Sequence, residues 1–270
     1  MTIRYDMPVM FGPSLLPDQS PVSNVMVAAI NFETDRAAAA ALLPRFFTVA
    51  DVPTVTLTYI HYPSLEYLGG RGYQELVVAI AAQYGEGTQR IAAGFAPVMW
   101  VDQPGALISG REFMGFAKLL GRFEANREET GFSYRCAEYE ASLVEGQLSD
   151  LAAIDEQRLG RINTSAALIN SFGWKYIPSD TEQPDADYPM TNITRWHYRR
   201  AWTAEGRLTF GAPTPTDAPL SSRIVATLAR LPVKRWGRAF MAEGDVVIDR
   251  LGSRRLDTPA LAAAGARGAR

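Results

Sequence analysis

The chain has 270 residues, a hydrophobic content of 47% and a formal net charge of −2, with a pI near 5.8. This composition suits a folded protein with a substantial core, and the charge argues against a nucleic-acid partner, because phosphate binding requires a clustered basic surface. The single cysteine, Cys136, excludes an internal disulfide, and two histidines, His61 and His197, are too few for a recognisable zinc site.

The N-terminal sequence lacks the basic and apolar pattern of a secretion signal. No apolar run approaches the roughly 20 residues that a membrane-spanning helix needs. We therefore expect a cytoplasmic protein with no membrane partner, no metal and no cofactor. The expected ligand is a small neutral or anionic molecule.

The chain is predicted to begin with an arm, a strand and a short helix. Residues 1–23 contain four prolines and little periodicity, which indicates an N-terminal arm that wraps the body or a neighbouring subunit. Residues 25–32 have the composition of a strand. Thr34 is the expected N-cap of an alanine-rich helix over residues 35–43, which Pro44 ends.

Further strands are predicted where β-branched and aromatic residues dominate between turn signals. They cover residues 54–62, 73–83, 92–100, 131–144, 193–201, 207–210 and 244–251. A turn is expected at residues 102–105, a short helix from Gly110 into the lysine segment, and another helix at residues 222–229. The pattern over residues 148–168 fits a helix or an extended segment.

The predicted elements form one domain, because no internal repeat and no linker divides them. It covers residues 24–255, and the alanine- and glycine-rich residues 256–270 are expected to be a disordered tail. Many strands and few helices predict a mainly β (α+β) fold with a closed antiparallel sheet.

Lys118 is a candidate nucleophile. It is one of three lysines, with Lys175 and Lys234, in a chain whose other basic residues are arginines. Arginine keeps its proton in nearly any site, whereas lysine can lose its proton in an apolar environment and attack a carbonyl group. The apolar neighbours of Lys118 in the sequence are Phe113, Met114, Phe116, Leu119 and Leu120. The alternative is a solvated surface lysine, which is the commoner case.

The segment 109–112, Ser-Gly-Arg-Glu, resembles the signature of the acetoacetate decarboxylase superfamily, in which Gly-Arg-Glu precedes a Schiff-base lysine. Similar segments follow in the expected order over residues 24–251, namely 32–35, 42–44, 73–75, 99–102, 104–107, 174–178 and 231–234. The resemblance implies an antiparallel β-barrel or cone with few helices, an enclosed active site and a homo-oligomer.

The resemblance also implies a covalent mechanism on a small oxo acid. The neutral amine of Lys118 adds to a substrate ketone and loses water, and the resulting iminium accepts electrons from a breaking bond at carbon. Leu119 stands where the family often has a second lysine. Apolar burial, and not a neighbouring ammonium, would then favour the neutral amine.

Two residues of one predicted strand are assigned to catalysis and substrate binding by the resemblance. Glu75 matches an active-site glutamate and is the candidate general acid/base. Tyr73, two residues earlier, lies on the same face of the strand and is expected to orient the substrate. The alternatives are a solvated carboxylate for Glu75 and a packed aromatic side chain for Tyr73.

The remaining candidate residues surround Lys118. Met99, Met114 and Phe116 are expected to form an apolar pocket that excludes water, although core packing explains them equally well. Arg111 and Glu112 are expected to form a buried or half-buried pair that supports the lysine segment.

Two departures from the family pattern leave the reaction open. Val25 stands where decarboxylases of the named type have an arginine for the substrate carboxylate, and Thr58 stands where they have a first glutamate. Decarboxylation of a 3-oxo acid larger than acetoacetate is the first hypothesis. The second is aldolase or dehydratase chemistry on a pyruvate-like 2-oxo acid, and the third is a non-catalytic binding protein.

Overall fold

The structure is a computed structural model that describes residues 4–85 and 90–256. The predicted tail at residues 256–270 lies outside these ranges except for Leu256. The strands are β1 (Gln19–Glu33), β2 (Phe47–Val49), β3 (Thr54–Tyr62), β4 (Tyr73–Tyr84), β5 (Ile91–Val101), β6 (Lys118–Leu120), β7 (Arg122–Arg127), β8 (Phe132–Glu138), β9 (Ala141–Ala153), β10 (Ile169–Ile177), β11 (Ala186–Phe210), β12 (Arg235–Trp236) and β13 (Ala239–Arg255). The helices are α1 (Arg36–Ala40), α2 (Pro104–Glu112), α3 (Glu156–Ala166) and α4 (Ser222–Leu228).

Seven of the described strands close into a ring. The hydrogen-bonded order is β10, β5, β4, β3, β1, β13 and β11, and β11 pairs again with β10. Every pairing in this ring is antiparallel except the short parallel contact of β10 with β5. The predicted mainly β fold built on closed antiparallel sheet is confirmed.

A smaller sheet extends from one side of the ring. The C-terminal part of β11 pairs with β9, which pairs with β8, which pairs with β7. Phe132 and Tyr134 of β8 pack with Leu57 of β3 and Leu76 of β4. We call this packed layer the outer core.

Neighbouring side chains of β4 belong to two different cores, because successive residues of a strand point to opposite faces. Leu76 and Val78 pack in the outer core. Tyr73 and Val77 pack in a second cluster, the interior core, to which β1, β3, β5, β11 and β13 also contribute. Glu75 therefore lies on the interior face of the ring.

The structure corrects the predicted course of the chain before Lys118. α2 begins at Pro104, inside the predicted turn, and ends at Glu112. Proline suits the first position of a helix, and the Gln103 side chain caps it by accepting from the amide of Gly105 at 3.0 Å. The helix predicted from Gly110 is therefore wrong.

Other boundaries also differ from the prediction. The N-cap of α1 is Asp35 and not Thr34, since the Asp35 carboxylate accepts from the amides of Ala37 and Ala38. Residues 148–168 divide into the end of β9 and α3, and β1 starts within the predicted arm. In the described residues, no helix has the length and apolar character needed to cross a membrane.

Leu76→Ala tests the packing of the outer core. Leu76 is fully buried, so we expect the free energy of unfolding to fall by about 2–5 kcal/mol, measured by urea denaturation. The control is Val52→Ala at a side chain that is 52% exposed, where a change below about 0.5 kcal/mol is expected. Equal losses in the two variants would contradict the outer core.

Candidate active site

Lys118 begins β6, directly after a short connection from α2. β6 pairs parallel with β5, where Met99 is the partner of Lys118, and the Met99 amide donates to the carbonyl of Ala117 at 3.0 Å. Gly115 has a φ of +65°, in the left-handed region that favours glycine. The connection therefore turns sharply and directs Lys118, which is 6% exposed, into the ring.

A buried ion pair is the centre of the site. Lys118 Nζ donates to Glu75 Oε2 at 2.9 Å, and the two side chains are only 7% and 4% exposed. Glu75 lies between Ile60 of β3 and Val101 of β5 in the sheet register. Taking two charges out of water is costly, so each partner depends on the other. The short hydrogen bond also provides a direct path for a proton.

Two tyrosines complete the polar part of the site. The hydroxyl of Tyr62 donates to Glu75 Oε1 at 3.2 Å, and its ring stacks on Tyr73 with the centroids 4.5 Å apart. Lys118 Nζ lies 5.5 Å from the centre of the Tyr73 ring. Burial, together with the charge of Glu75, raises the pKa of both Tyr62 and Tyr73 well above the ordinary value. Both phenols therefore keep their protons.

Sequence reasoning missed Tyr62, although it is the direct register partner of Tyr73. The alternation of β3 puts Thr58, Ile60 and Tyr62 on one face, so the strand pattern contains a signal for this position. The register could not be read, because ten residues separate the two strands.

Gly110 is required for the lysine to fit beneath α2. A Cβ atom at Gly110 would lie 2.6 Å from Cδ and Cε of Lys118 and 3.3 Å from Nζ. Contacts below 3 Å require atoms to move, and here the neighbouring atoms belong to a buried side chain. The absence of a side chain at Gly110 therefore makes room for the extended lysine.

Arg111 and Glu112 hold the lysine segment through hydrogen bonds between side chains and backbone carbonyl groups. Arg111 Nη1 donates to the carbonyl of Lys118 at 3.1 Å, and Lys175 Nζ donates to the carbonyl of Glu112. Arg111 is exposed and Glu112 half-buried. Among the described residues no ion pair joins these two side chains, so the expected buried pair is not formed.

Apolar side chains wall the interior around the ion pair. Met99, Met114 and Phe116 are all at least nine-tenths buried in the interior core with Tyr73. Met114 lies in the connection after α2 and not in the helix predicted from Gly110, but its side chain still packs in this core. The site is thus a polar cluster enclosed by apolar side chains, and we call this enclosed region the chamber.

The positions of Val25 and Thr58 add no charge to the chamber. Val25 is fully buried in the interior core, and Thr58 is half-buried opposite Val77. Within residues 4–85 and 90–256, no three His, Cys, Asp or Glu side chains are grouped as a metal site would require.

A cleft of about 360 Å³ adjoins the chamber on the side of the N-terminal arm. Met7 and Phe11 of the arm form one wall, and Tyr67, Gly105 and Ser109 form another. Ser109 precedes Gly110, which contacts Lys118. The cleft therefore reaches the part of α2 that packs on Lys118.

Comparison with family models identifies the chain. Residues 6–253 match the model described as "Acetoacetate decarboxylase (ADC)". The chain belongs to the acetoacetate decarboxylase family. A comparison with curated protein sequences finds no match.

Solved structures share the fold of this acetoacetate decarboxylase family member at low identity. The acetoacetate decarboxylase of Legionella pneumophila has a TM-score of 0.74 and 19% identity, with 95% of each chain covered. The enduracididine biosynthesis enzyme MppR, complexed with the condensation product of pyruvate and imidazole 4-carboxaldehyde, has a TM-score of 0.69 and 16% identity, with 94% of this chain and 96% of that chain covered. An acetoacetate decarboxylase-like enzyme from Sphingomonas wittichii has a TM-score of 0.68 and 18% identity, with 95% and 99% covered.

Gly110→Ala and Gly160→Ala form a matched pair of helical substitutions. Gly160 lies in α3, and a Cβ there meets nothing within 4 Å, so we expect a gain of about 0.5–1 kcal/mol in the free energy of unfolding. Gly110→Ala forces Lys118 to move, and we expect a loss of about 1–3 kcal/mol. Urea denaturation measures both values. A similar gain in both variants would contradict the close packing of α2 on Lys118.

Proposed function

We propose that this chain is a lyase that forms a Schiff base between Lys118 and a small oxo acid, and that its preferred reaction is decarboxylation of a 3-oxo acid. The observation that carries the proposal is the hydrogen bond of 2.9 Å between buried Lys118 and buried Glu75. A primary amine beside a proton acceptor, enclosed by apolar side chains, has the parts that amine catalysis of this kind requires.

The first step is activation of the amine by Glu75. Glu75 Oε2 takes a proton from Lys118 Nζ along their hydrogen bond, and the neutral amine adds to the ketone carbon of the substrate. Glu75 then returns this proton to the carbinolamine oxygen. It next carries a second proton from the attached nitrogen to the same oxygen, and water leaves. The resulting iminium is a cation next to the Glu75 carboxylate, which stabilises it electrostatically.

In the next step, the bond breaks between the carboxylate carbon and the carbon that lies between the carboxylate and the former ketone. Its electron pair moves to the iminium nitrogen, so carbon dioxide leaves and a neutral enamine remains. Glu75, after taking up a proton from water, protonates the enamine carbon, and hydrolysis releases the ketone and free Lys118. The hydroxyl of Tyr62 holds Glu75 Oε1 at 3.2 Å and keeps the carboxylate directed toward Nζ throughout.

The apolar walls support a substrate with a hydrocarbon part. Met99, Met114 and Phe116 are buried around the ion pair and present no charge. Val25 and Thr58 add no guanidinium or carboxylate, which favours a substrate different from acetoacetate itself.

A second candidate is aldolase or dehydratase chemistry on a 2-oxo acid by the same lysine. The fold likeness to MppR, whose structures contain pyruvate or its condensation product, favours it. In this reaction the enamine of Lys118 attacks an aldehyde and no carbon dioxide is released. A non-catalytic binding protein is the third alternative, and it predicts that no covalent adduct forms.

Borohydride trapping tests the proposal. The protein is incubated with a panel of 2-oxo and 3-oxo acids, reduced, and analysed by intact mass and peptide mapping. We expect one reduced adduct per chain, on Lys118, and no adduct in Lys118→Ala. The matched control is Lys234→Ala, an exposed lysine paired with Asp35, which should form the adduct as the wild type does.

Glu75→Gln keeps a hydrogen-bonding side chain but removes the base. We expect adduct formation to slow by about 10²- to 10⁴-fold, the usual contribution of a positioned general base. Release of carbon dioxide from a 3-oxo acid separates the two candidate reactions. An adduct rate unchanged by Glu75→Gln would overturn the assigned role of Glu75.

A further inference from the structure

Arg250 is a buried guanidinium without an acidic partner in the part of the chain that the structure describes. It is 3% exposed and lies on β13, on the same face as Val246 and Ile248 of the interior core. Nη1 donates to the carbonyl of Pro17 at 2.6 Å and to Ser20 Oγ at 2.8 Å. Nε is buried and has no hydrogen-bond partner among the described residues.

Of the buried charged residues in the described part of the chain, Arg250 and Glu138 are the two that belong to no ion pair, and Arg250 is the cation of these two. The buried charged residues in the described part of the chain are Glu75, Lys118, Glu138, Asp249 and Arg250. Lys118 pairs with Glu75, and Asp249 pairs with Arg195 at 3.1 Å. No ion pair of the described residues contains Arg250. Because arginine keeps its proton even when buried, Arg250 is a buried positive charge with no carboxylate of the described residues at ion-pair distance.

Tyrosines of the interior core and its edge lie beside both Arg250 and Lys118. The Arg250 Cζ atom lies 5.1 Å from the centre of the Tyr67 ring, and Tyr67 also lines the cleft beside the chamber. Burial lowers the pKa of Arg250, while the phenol oxygens of Tyr67 and Tyr73 act in the opposite direction. Tyr73 is the residue whose ring lies 5.5 Å from Lys118 Nζ. Tyr67 packs against the interior core that contains Tyr73, so Arg250 and Lys118 both lie beside tyrosine rings of one core.

We propose that Arg250 binds the carboxylate of the substrate whose ketone reacts with Lys118. The proposal rests on the proposed function for its substrate class. A carboxylate accepts two parallel hydrogen bonds from one edge of a guanidinium, and the free Nε–H is one of the two donors on such an edge. Pro17 and Ser20 hold Nη1 and fix the orientation of this edge.

Equilibrium binding of butyrate tests the anion site without any covalent chemistry. Butyrate has a carboxylate but no ketone, and butyramide is the matched neutral ligand. Isothermal titration calorimetry measures both affinities, and we expect the wild type to bind butyrate more tightly than butyramide. Arg250→Met should weaken butyrate binding by about 10- to 100-fold, because a charge-assisted hydrogen bond is lost. Butyramide binding should not change.

Three variants separate anion binding from anchoring of the arm. Arg250→Lys keeps a charge that can reach Pro17 and Ser20 but loses the two-donor edge, so butyrate affinity should be intermediate. Ser20→Ala removes one anchor and should leave the preference for butyrate in place. Arg254→Met, at an exposed neighbour on β13, is the control and should bind as wild type does.

Trapping on Lys118 then links the anion site to the reaction. An oxo acid is compared with the ketone that has the same skeleton but no carboxylate. We expect Arg250→Met to reduce trapping of the acid by about 10- to 100-fold and to leave trapping of the ketone unchanged. Butyrate binding that is the same in wild type and Arg250→Met would overturn the role of Arg250, as would an unchanged ratio of acid to ketone trapping. Arg250-dependent butyrate binding without any adduct on Lys118 would refute the proposed function and leave the carboxylate site standing.

Discussion

Burying an amine and a carboxylate together is the constraint on which the rest of this structure depends. Lys118 and Glu75 are both withdrawn from water and joined at 2.9 Å. Removal of one partner of such a pair leaves an uncompensated buried charge, which typically costs about 3–5 kcal/mol. The surrounding fold must therefore hold both side chains in place, and two different strands of the sheet do so. β4 fixes Glu75, and β6 fixes Lys118 beside β5.

In the proposed reaction, the same pair supplies a proton that moves without changing the net charge of the chamber. A transfer from Lys118 to Glu75 converts an ion pair into an amine and a carboxylic acid, so no charge has to enter or leave the apolar interior. Tyr62 and Tyr73 remain protonated phenols beside it, because burial and the charge of Glu75 raise their pKa. In our account, Arg250 adds the positive charge that selects an acid over a neutral ketone. The proposed site thus divides its tasks between residues on β3, β4, β6 and β13.

The sequence predicted the strands better than the contacts between them. The strand at Thr54–Tyr62 was predicted with the bounds that the structure has, because its β-branched and aromatic residues form an unbroken run. Glu75 was assigned from the family resemblance, and Tyr73 was expected on the same face because it lies two residues earlier on one strand. The start of α2 was missed because Asp102 to Gly105 has the composition of a turn, although Pro104 suits the first helical position. The roles of Gly110 and Arg250 depend on packing between distant segments, which no local pattern reveals. Arg250, for example, contacts Pro17 across more than two hundred residues.

The most direct test of the central claim is a crystal structure of the protein reduced with borohydride in the presence of a reactive oxo acid. Our account predicts continuous electron density from Lys118 Nζ to the former ketone carbon, with Glu75 in contact with the new bond and the substrate carboxylate against Arg250. Density for an adduct on Lys175 or Lys234, or an unmodified Lys118 still paired with Glu75, would contradict it.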